Sequence, residues 1–80
     1  MRRIFTREEV EHFIVSWLEK WLRRNMQDEK DVEIFHVLDS LGIVVFLSDL
    51  EKWLGKSLPW NFLLECNTIN EIVNFIIREY

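Results

Sequence analysis

The sequence predicts an all-α fold, and three observations support this prediction. Apolar residues recur at three- and four-residue steps in three separate stretches, which is the spacing of one face of an α-helix. Two of these stretches follow a threonine with a glutamate three residues later, the spacing of a capping box. The 80 residues include only two Gly and one Pro, so few residues interrupt helices. We therefore expect a single helical domain over residues 1–80.

The first helix is expected to begin at about Arg7. Thr6 and Glu9 have capping-box spacing, and Phe5 and Val10 are placed to form a hydrophobic staple across that cap. Behind the cap, one apolar stripe continues for about five turns. The stripe consists of Val10, Phe13, Ile14, Trp17, Leu18, Trp21 and Leu22. The pattern is typical of a long amphipathic helix.

A long loop is expected after this helix. From Asn25 to Glu33 the helical pattern breaks into mostly polar and charged residues. A short apolar cluster then follows, made of Ile34, Phe35, Val37 and Leu38. We expect this cluster to hold the far end of the loop in the core.

The second helix is expected over roughly 40–54. Asp39 and Ser40 are both good capping residues, and Gly55 followed by Pro59 indicates where the helix ends. On a helical wheel one arc is apolar and is the expected core face: Ile43, Phe46, Leu47, Leu50, Trp53 and Leu54. The opposite side carries the residues expected in solvent: Ser48, Asp49, Glu51 and Lys52.

Three apolar residues near the start of this helix, Leu41, Val44 and Val45, project among the polar ones. An apolar cluster beside a serine at a helix N-terminus is typical of a docking surface. The alternative is that the loop before Asp39 folds over the cluster and buries it. The helix N-terminus also offers unpaired N–H groups and a positive dipole end, which accommodate a phosphodiester on Ser40. The dipeptide Asp39-Ser40 alone is better explained by capping, because such dipeptides are common before helices.

The chain closes with a short segment and a last helix. Trp60 to Cys66 has room for one or two helical turns after Pro59. Thr68 and Glu71 repeat the capping-box spacing and predict a helix that ends near Tyr80. Its apolar side consists of Ile69, Ile72, Val73, Phe75, Ile76 and Ile77.

Composition and charge exclude several classes of function. A single cysteine, Cys66, excludes an internal disulfide and a multi-cysteine zinc site. No apolar run approaches the roughly 18 residues of a membrane span, so we expect a soluble cytoplasmic protein. The net charge is −4, and residues 25–80 carry ten acidic but only four basic side chains. That excess argues against nucleic acid and favours partners with basic surfaces.

The sequence gives little support for enzyme chemistry or for metal binding. A catalytic role for Ser40 would need a base within hydrogen-bond reach and an oxyanion hole. The two histidines, His12 and His36, lie in no recognisable nucleophile motif or metal-ligand spacing. We therefore expect no catalytic residues and no metal.

Asp39-Ser40-Leu41 resembles the Asp-Ser-Leu attachment motif of the acyl/peptidyl carrier protein family. The resemblance extends over nearly the whole chain, and no gap is needed after Ser40. Further family landmarks match Leu50-Glu51, Gly55, Pro59, Thr68, Ile72 and Ile76.

The resemblance implies a four-helix bundle with a long helix 1, a long loop, helix 2, a short helix 3 and helix 4. It implies that 4'-phosphopantetheine is attached covalently to Ser40 by a phosphopantetheinyl transferase, with Asp39 helping to orient that enzyme. The arm's thiol would carry acyl or aminoacyl groups as thioesters. Other implied partners are the loading enzyme and a ketosynthase or condensation enzyme, and the expected state is a monomer.

Partner contacts are expected on the second helix. Leu41, Val44 and Val45 are the expected docking patch, and Asp49 and Glu51 are candidates to meet basic partner residues.

Two departures from the family pattern bear on the pathway. Val37 stands where many members have Gly, and Val45 stands where carriers of fatty acid synthesis often have Glu. The more apolar second helix favours polyketide or nonribosomal peptide assembly. A fatty acid or D-alanyl carrier, and a helical adaptor that never carries the arm, remain alternatives.

Overall fold

The structure is a computed structural model that describes residues 5–59 and 61–80. Trp60, the first residue of the predicted short segment, lies outside the described residues. The helices are α1 (Arg7–Leu22), α2 (Ile34–Val37), α3 (Ser40–Leu54), α4 (Phe62–Glu65) and α5 (Ile69–Glu79). The described residues form no strand, only an isolated bridge between Glu33 and Thr68. The predicted all-α fold is confirmed.

α1 and α5 begin where their capping boxes predict. Thr6 Oγ1 accepts a hydrogen bond from the Glu9 amide at 3.1 Å, and the Thr6 amide donates to the Glu9 carboxylate in return. Thr68 and Glu71 form the same capping box at the start of α5. Phe5 and Val10, the predicted staple pair, are both buried in the core. The local signals therefore fix both helix starts.

One difference from the expected layout lies in the long loop. Ile34–Val37 forms a single helical turn where the sequence predicts only the pinned end of a loop. Ile34 and Leu38 are buried, so the expected anchoring of the loop end is confirmed. Met26 is also fully buried, and its amide donates to the Glu19 carboxylate at 3.1 Å. The loop is thus anchored near both of its ends.

Hydrogen bonds and an ion pair tie the same loop to α1, to α5 and to the segment just before α5. Lys30 Nζ lies 2.7 Å from Glu11 Oε1, and the Lys30 carbonyl accepts from the Asn70 amide at 3.2 Å. The Ile34 amide donates to the Asn67 carbonyl at 2.6 Å. These contacts fix the position of the segment that leads to the start of α3.

The core joins all five helices, with α1 packed mainly against α5. No polar or charged side chain among the described residues is buried. The buried apolar side chains are Phe5, Val10, Ile14, Val15, Leu18, Met26, Ile34, Leu38, Phe46, Leu50, Leu54, Phe62, Leu63, Ile69, Ile72, Val73 and Ile76. Among the described residues, no helix is long and apolar enough to cross a membrane.

Aromatic rings join α1 to α3. Phe13 stacks on Trp53 with ring centroids 4.6 Å apart, and Trp17 meets Phe46 edge-on at 5.0 Å. The Trp17 indole N–H also donates to Asp49 Oδ2 at 2.8 Å. Because the bond and the rings act on the same pair of helices, the position of α1 relative to the middle and end of α3 is well determined.

Candidate functional site

The candidate site is the N-terminal end of α3, where the chain leaves the core. Leu38 is buried and extended, and Asp39 and Ser40 directly after it are exposed. Asp39 Oδ1 accepts a hydrogen bond from the Gly42 amide at 2.8 Å, and the Asp39 carbonyl accepts from the Ile43 amide at 2.9 Å. Asp39 is therefore the N-cap, and Ser40 is the first residue of the helix.

The Ser40 hydroxyl lies in solvent beside a positive helix end. The amides of Ser40 and Leu41 are in the first turn and have no intrahelical acceptor. Among the described residues, no side chain hydrogen-bonds to the Ser40 hydroxyl. The free amides and the helix dipole favour an anion at this point, so a phosphodiester on Ser40 would fit the donors present.

The three residues of the expected docking patch differ in exposure. The exposed fractions are 65% for Leu41 and 64% for Val44, so the loop before Asp39 does not cover them. Val45 is half-buried. On the helix, Val45 lies one turn before Asp49, which is bonded to Trp17 of α1, so α1 adjoins that side of α3. The exposed apolar surface next to Ser40 therefore centres on Leu41 and Val44.

The two carboxylates expected to meet basic partner residues also have structural roles. Asp49 was expected on the solvent side, but it is half-buried and accepts the bond from Trp17. Glu51 Oε2 accepts a hydrogen bond from the Leu58 amide at 2.6 Å, which ties down the segment after α3. Trp17 lies on another helix, and Leu58 lies in the segment after α3. A helical wheel of α3 therefore could not indicate these two hydrogen bonds.

The other reactive side chains lie away from Ser40 or have other contacts. His36 Nε2 is 3.1 Å from Glu33 Oε2, and His12 Nε2 is 3.5 Å from Ser16 Oγ. Cys66 is half-buried; burial and then the charge of Glu71 raise the pKa of its thiol, so less thiolate is present near neutral pH. Within residues 5–59 and 61–80, no cluster of His, Cys, Asp or Glu is suited to hold a metal.

Trp21 is a member of the site that the sequence did not indicate. A Cβ added at Gly42 would lie 3.1 Å from Trp21 Nε1 and 3.2 Å from both Asp39 Oδ1 and Leu38 Cδ2. The indole of α1 therefore approaches the backbone of α3 two residues after Ser40, and a side chain added at Gly42 would have to displace its neighbours by a few tenths of an ångström. A glycine within a predicted helix was the available signal, because such a glycine often has a packing reason.

Comparison with known families gives a match. The family model described as a phosphopantetheine attachment site matches residues 14–76, which is more than half of the chain and includes the start of α3. No curated protein matches the chain.

Substitution of Gly42 tests the contact with Trp21. Alanine in a helix normally gains about 1 kcal/mol over glycine. Here we expect Gly42→Ala to lower the free energy of unfolding by about 1 kcal/mol, because the added methyl overpacks the space between Trp21 and Asp39. Urea unfolding measures the change. The cost should fall in a Trp21→Leu background, and an equal cost in both backgrounds would show that Trp21 does not limit this space.

Proposed function

The chain belongs to the acyl/peptidyl carrier protein family, which binds 4'-phosphopantetheine covalently on a serine, and we propose that Ser40 is that serine here. The observation that carries the proposal is the position of Ser40 as the exposed first residue of α3. The other three serines lie elsewhere: Ser16 within α1, Ser48 in the middle of α3, and Ser57 in the segment before α4. None of them is at a helix N-terminus.

Attachment would be a group transfer from coenzyme A. The Oγ of Ser40 forms a bond to the phosphorus at the phosphopantetheine end, and the phosphoanhydride bond of coenzyme A breaks. Adenosine bisphosphate leaves, and the hydroxyl proton passes to a base of the transferase. When attached, the arm supplies a terminal thiol that holds acyl or aminoacyl groups as thioesters.

The residues around Ser40 have separate tasks in this proposal. The amides at the start of α3 stabilise the negative charge of the phosphodiester. Asp39 holds the helix start with one carboxylate oxygen, and its charge orients the transferase. Carrier domains of this family are generally non-catalytic, and we propose that the chemistry on the cargo takes place in partner enzymes.

Partner enzymes would dock on the apolar surface next to Ser40. Leu41 and Val44 contribute most of the exposed area, with Val45 at its edge. The charges of Asp49 and Glu51 remain available to basic partner residues, since a carboxylate can accept further bonds beyond the one each accepts here. The patch is small, which favours brief contacts with each partner.

For the pathway we propose polyketide or nonribosomal peptide assembly. The support is the apolar character of the docking surface, where Val45 replaces a residue that is often acidic in carriers of fatty acid synthesis. Loading of the modified protein by candidate acyl-transferring or adenylating enzymes distinguishes this pathway from a fatty acid or D-alanyl carrier.

Mass spectrometry tests the attachment residue. Incubation with coenzyme A and a promiscuous transferase should add one phosphopantetheine mass to the wild-type chain. Ser40→Ala should abolish the gain completely, and Ser48→Ala, a matched change further along α3, should retain it. If no gain occurs with a broad panel of transferases, the carrier proposal fails and the exposed patch supports an adaptor without an arm.

Substitution of Asp39 separates its two tasks. Asn caps a helix about as well as Asp, so Asp39→Asn should keep the free energy of unfolding within about 0.5 kcal/mol, whereas Asp39→Ala should lower it by about 1 kcal/mol. Loss of the charge should slow modification by Asp39→Asn roughly tenfold, equivalent to about 1.4 kcal/mol. Steady-state rates with the same transferase give the comparison. An unchanged rate of modification for Asp39→Asn would show that Asp39 acts only as the helix cap.

A charge on the docking surface tests its role. Val44→Asp should weaken docking and lower kcat/KM for modification roughly tenfold, while stability changes by no more than about 0.5 kcal/mol because the site is exposed. Ile77→Asp places the same change on an exposed apolar residue of α5 and should leave kcat/KM unaltered. Equal rates for the two variants would refute the patch.

A further inference from the structure

A groove lies along α1 where this helix meets the end of α3. Its volume is about 380 Å³, near the lower end of the roughly 300–1,000 Å³ of ligand sites. Three half-buried rings line this aromatic groove: Phe13, Trp17 and Trp53. The described residues that line it include no Leu, Ile, Val or Met. The groove is therefore suited to an aromatic occupant, since rings pack on one another in preferred stacked or edge-on arrangements.

The rings of the groove are held in place by the fold. Phe13 stacks on Trp53 with ring centroids 4.6 Å apart. Trp17 is fixed by its hydrogen bond to Asp49 at 2.8 Å and by its edge contact with Phe46 at 5.0 Å. An occupant would therefore lose little affinity to the ordering of these side chains, because they are ordered already.

One end of the aromatic groove carries a positive charge. Lys20 lines the groove and is exposed, and within residues 5–59 and 61–80 its ammonium group forms no ion pair. The carboxylate that lines the groove belongs to Glu9, which lies about 16 Å from Lys20 along the helix and takes part in the cap of α1. An occupant with a carboxylate at the Lys20 end would therefore gain an ion pair there.

The aromatic groove adjoins the proposed docking surface. Leu41, Val45 and Asp49 follow one another at four-residue steps and lie along one row of α3. The row reaches the groove at Trp17, which is bonded to Asp49. Exposed Lys20 shows that the groove is open to solvent, so a small molecule in it would stay largely uncovered. A protein that lies across both helices would cover the groove completely.

We propose that the aromatic groove receives an aromatic side chain of a partner protein and that Lys20 pairs with a carboxylate beside that side chain. The contact extends the small apolar surface of Leu41 and Val44 onto α1. A partner with basic groups for Asp49 and Glu51 and an acidic group for Lys20 has its orientation on the carrier fixed by the pattern of charges.

NMR titration of the unmodified chain with short blocked peptides tests the groove. With the peptide Ala-Trp-Glu-Ala, the indole N–H signals of Trp17 and Trp53 should shift and saturate. The methyl signals of Leu64, which is 69% exposed on α4, should stay in place and so control for unspecific apolar binding. Ala-Leu-Glu-Ala should bind roughly fivefold more weakly, because it offers no ring. Ala-Trp-Gln-Ala should bind about threefold more weakly, the effect of one exposed ion pair.

Two lysine variants identify the charge responsible. Lys20→Gln should bind the Trp-Glu and Trp-Gln peptides equally, because the cation that distinguishes them is absent. Lys56→Gln is the matched change at a lysine that lies over the Tyr80 ring, and it should keep the threefold difference. Because the wild-type titration needs no substitution, a folding defect in either variant would not hide the answer.

Three results would overturn the groove as a site for a partner protein. The first is a titration in which the Trp17 and Trp53 signals do not saturate. The second is equal affinity for the Trp and Leu peptides, or a threefold difference that survives Lys20→Gln. The third is tighter binding of free indole acetate than of Ala-Trp-Glu-Ala, which would assign the groove to a small aromatic acid.

The peptide titration and the mass gain on Ser40 are independent, because the groove is measured without the arm. A mass gain without saturable peptide binding overturns this inference and leaves the carrier role intact. Saturable binding that depends on Lys20, without a mass gain, supports the groove and overturns the proposed function.

Discussion

The hydrogen bond from the Gly42 amide to Asp39 is the interaction on which the site depends. It caps α3 at Asp39, directly after Leu38, which is buried in the core. With Leu38 fixed inside and the helix beginning two residues later, Ser40 is exposed at the end of the helix. Its neighbouring amides then have no acceptor within the helix. One cap thus determines both the access to the hydroxyl and the electrostatic environment of a group attached there.

The cap acts together with the contact between α1 and α3. Trp17 is bonded to Asp49 and supports Trp21, and Trp21 approaches the backbone at Gly42. The core side of α3 near Ser40 is therefore covered by rings of α1, while Leu41 and Val44 stay exposed. Packing in this way divides the apolar residues of α3 between the core and an exposed surface.

Structural features that depend on local contacts could be predicted from the sequence, whereas features that depend on contacts between distant residues could not. Helix starts at Arg7, Ser40 and Ile69 follow from capping residues three positions away or fewer, and all three agree with the structure. The turn Ile34–Val37 is too short to show a helical period. The role of Asp49 depends on a residue 32 positions earlier, which no wheel of α3 includes. The same holds for Trp21, whose place beside Gly42 required the packing of two helices.

The physical character of the site suits a carrier better than a tight binder. Two well-exposed apolar side chains bury far less area than the roughly 1,200 Å² of a stable protein interface, so docking through them alone would be weak and dissociation would be fast. A covalent tether supplies what the weak surface lacks, because it raises the effective concentration of the cargo in the active site of each docked partner. Stronger docking would slow the exchange between enzymes, and a buried attachment residue would prevent the modification. An exposed hydroxyl on a firmly capped helix beside a small apolar patch meets both requirements at once.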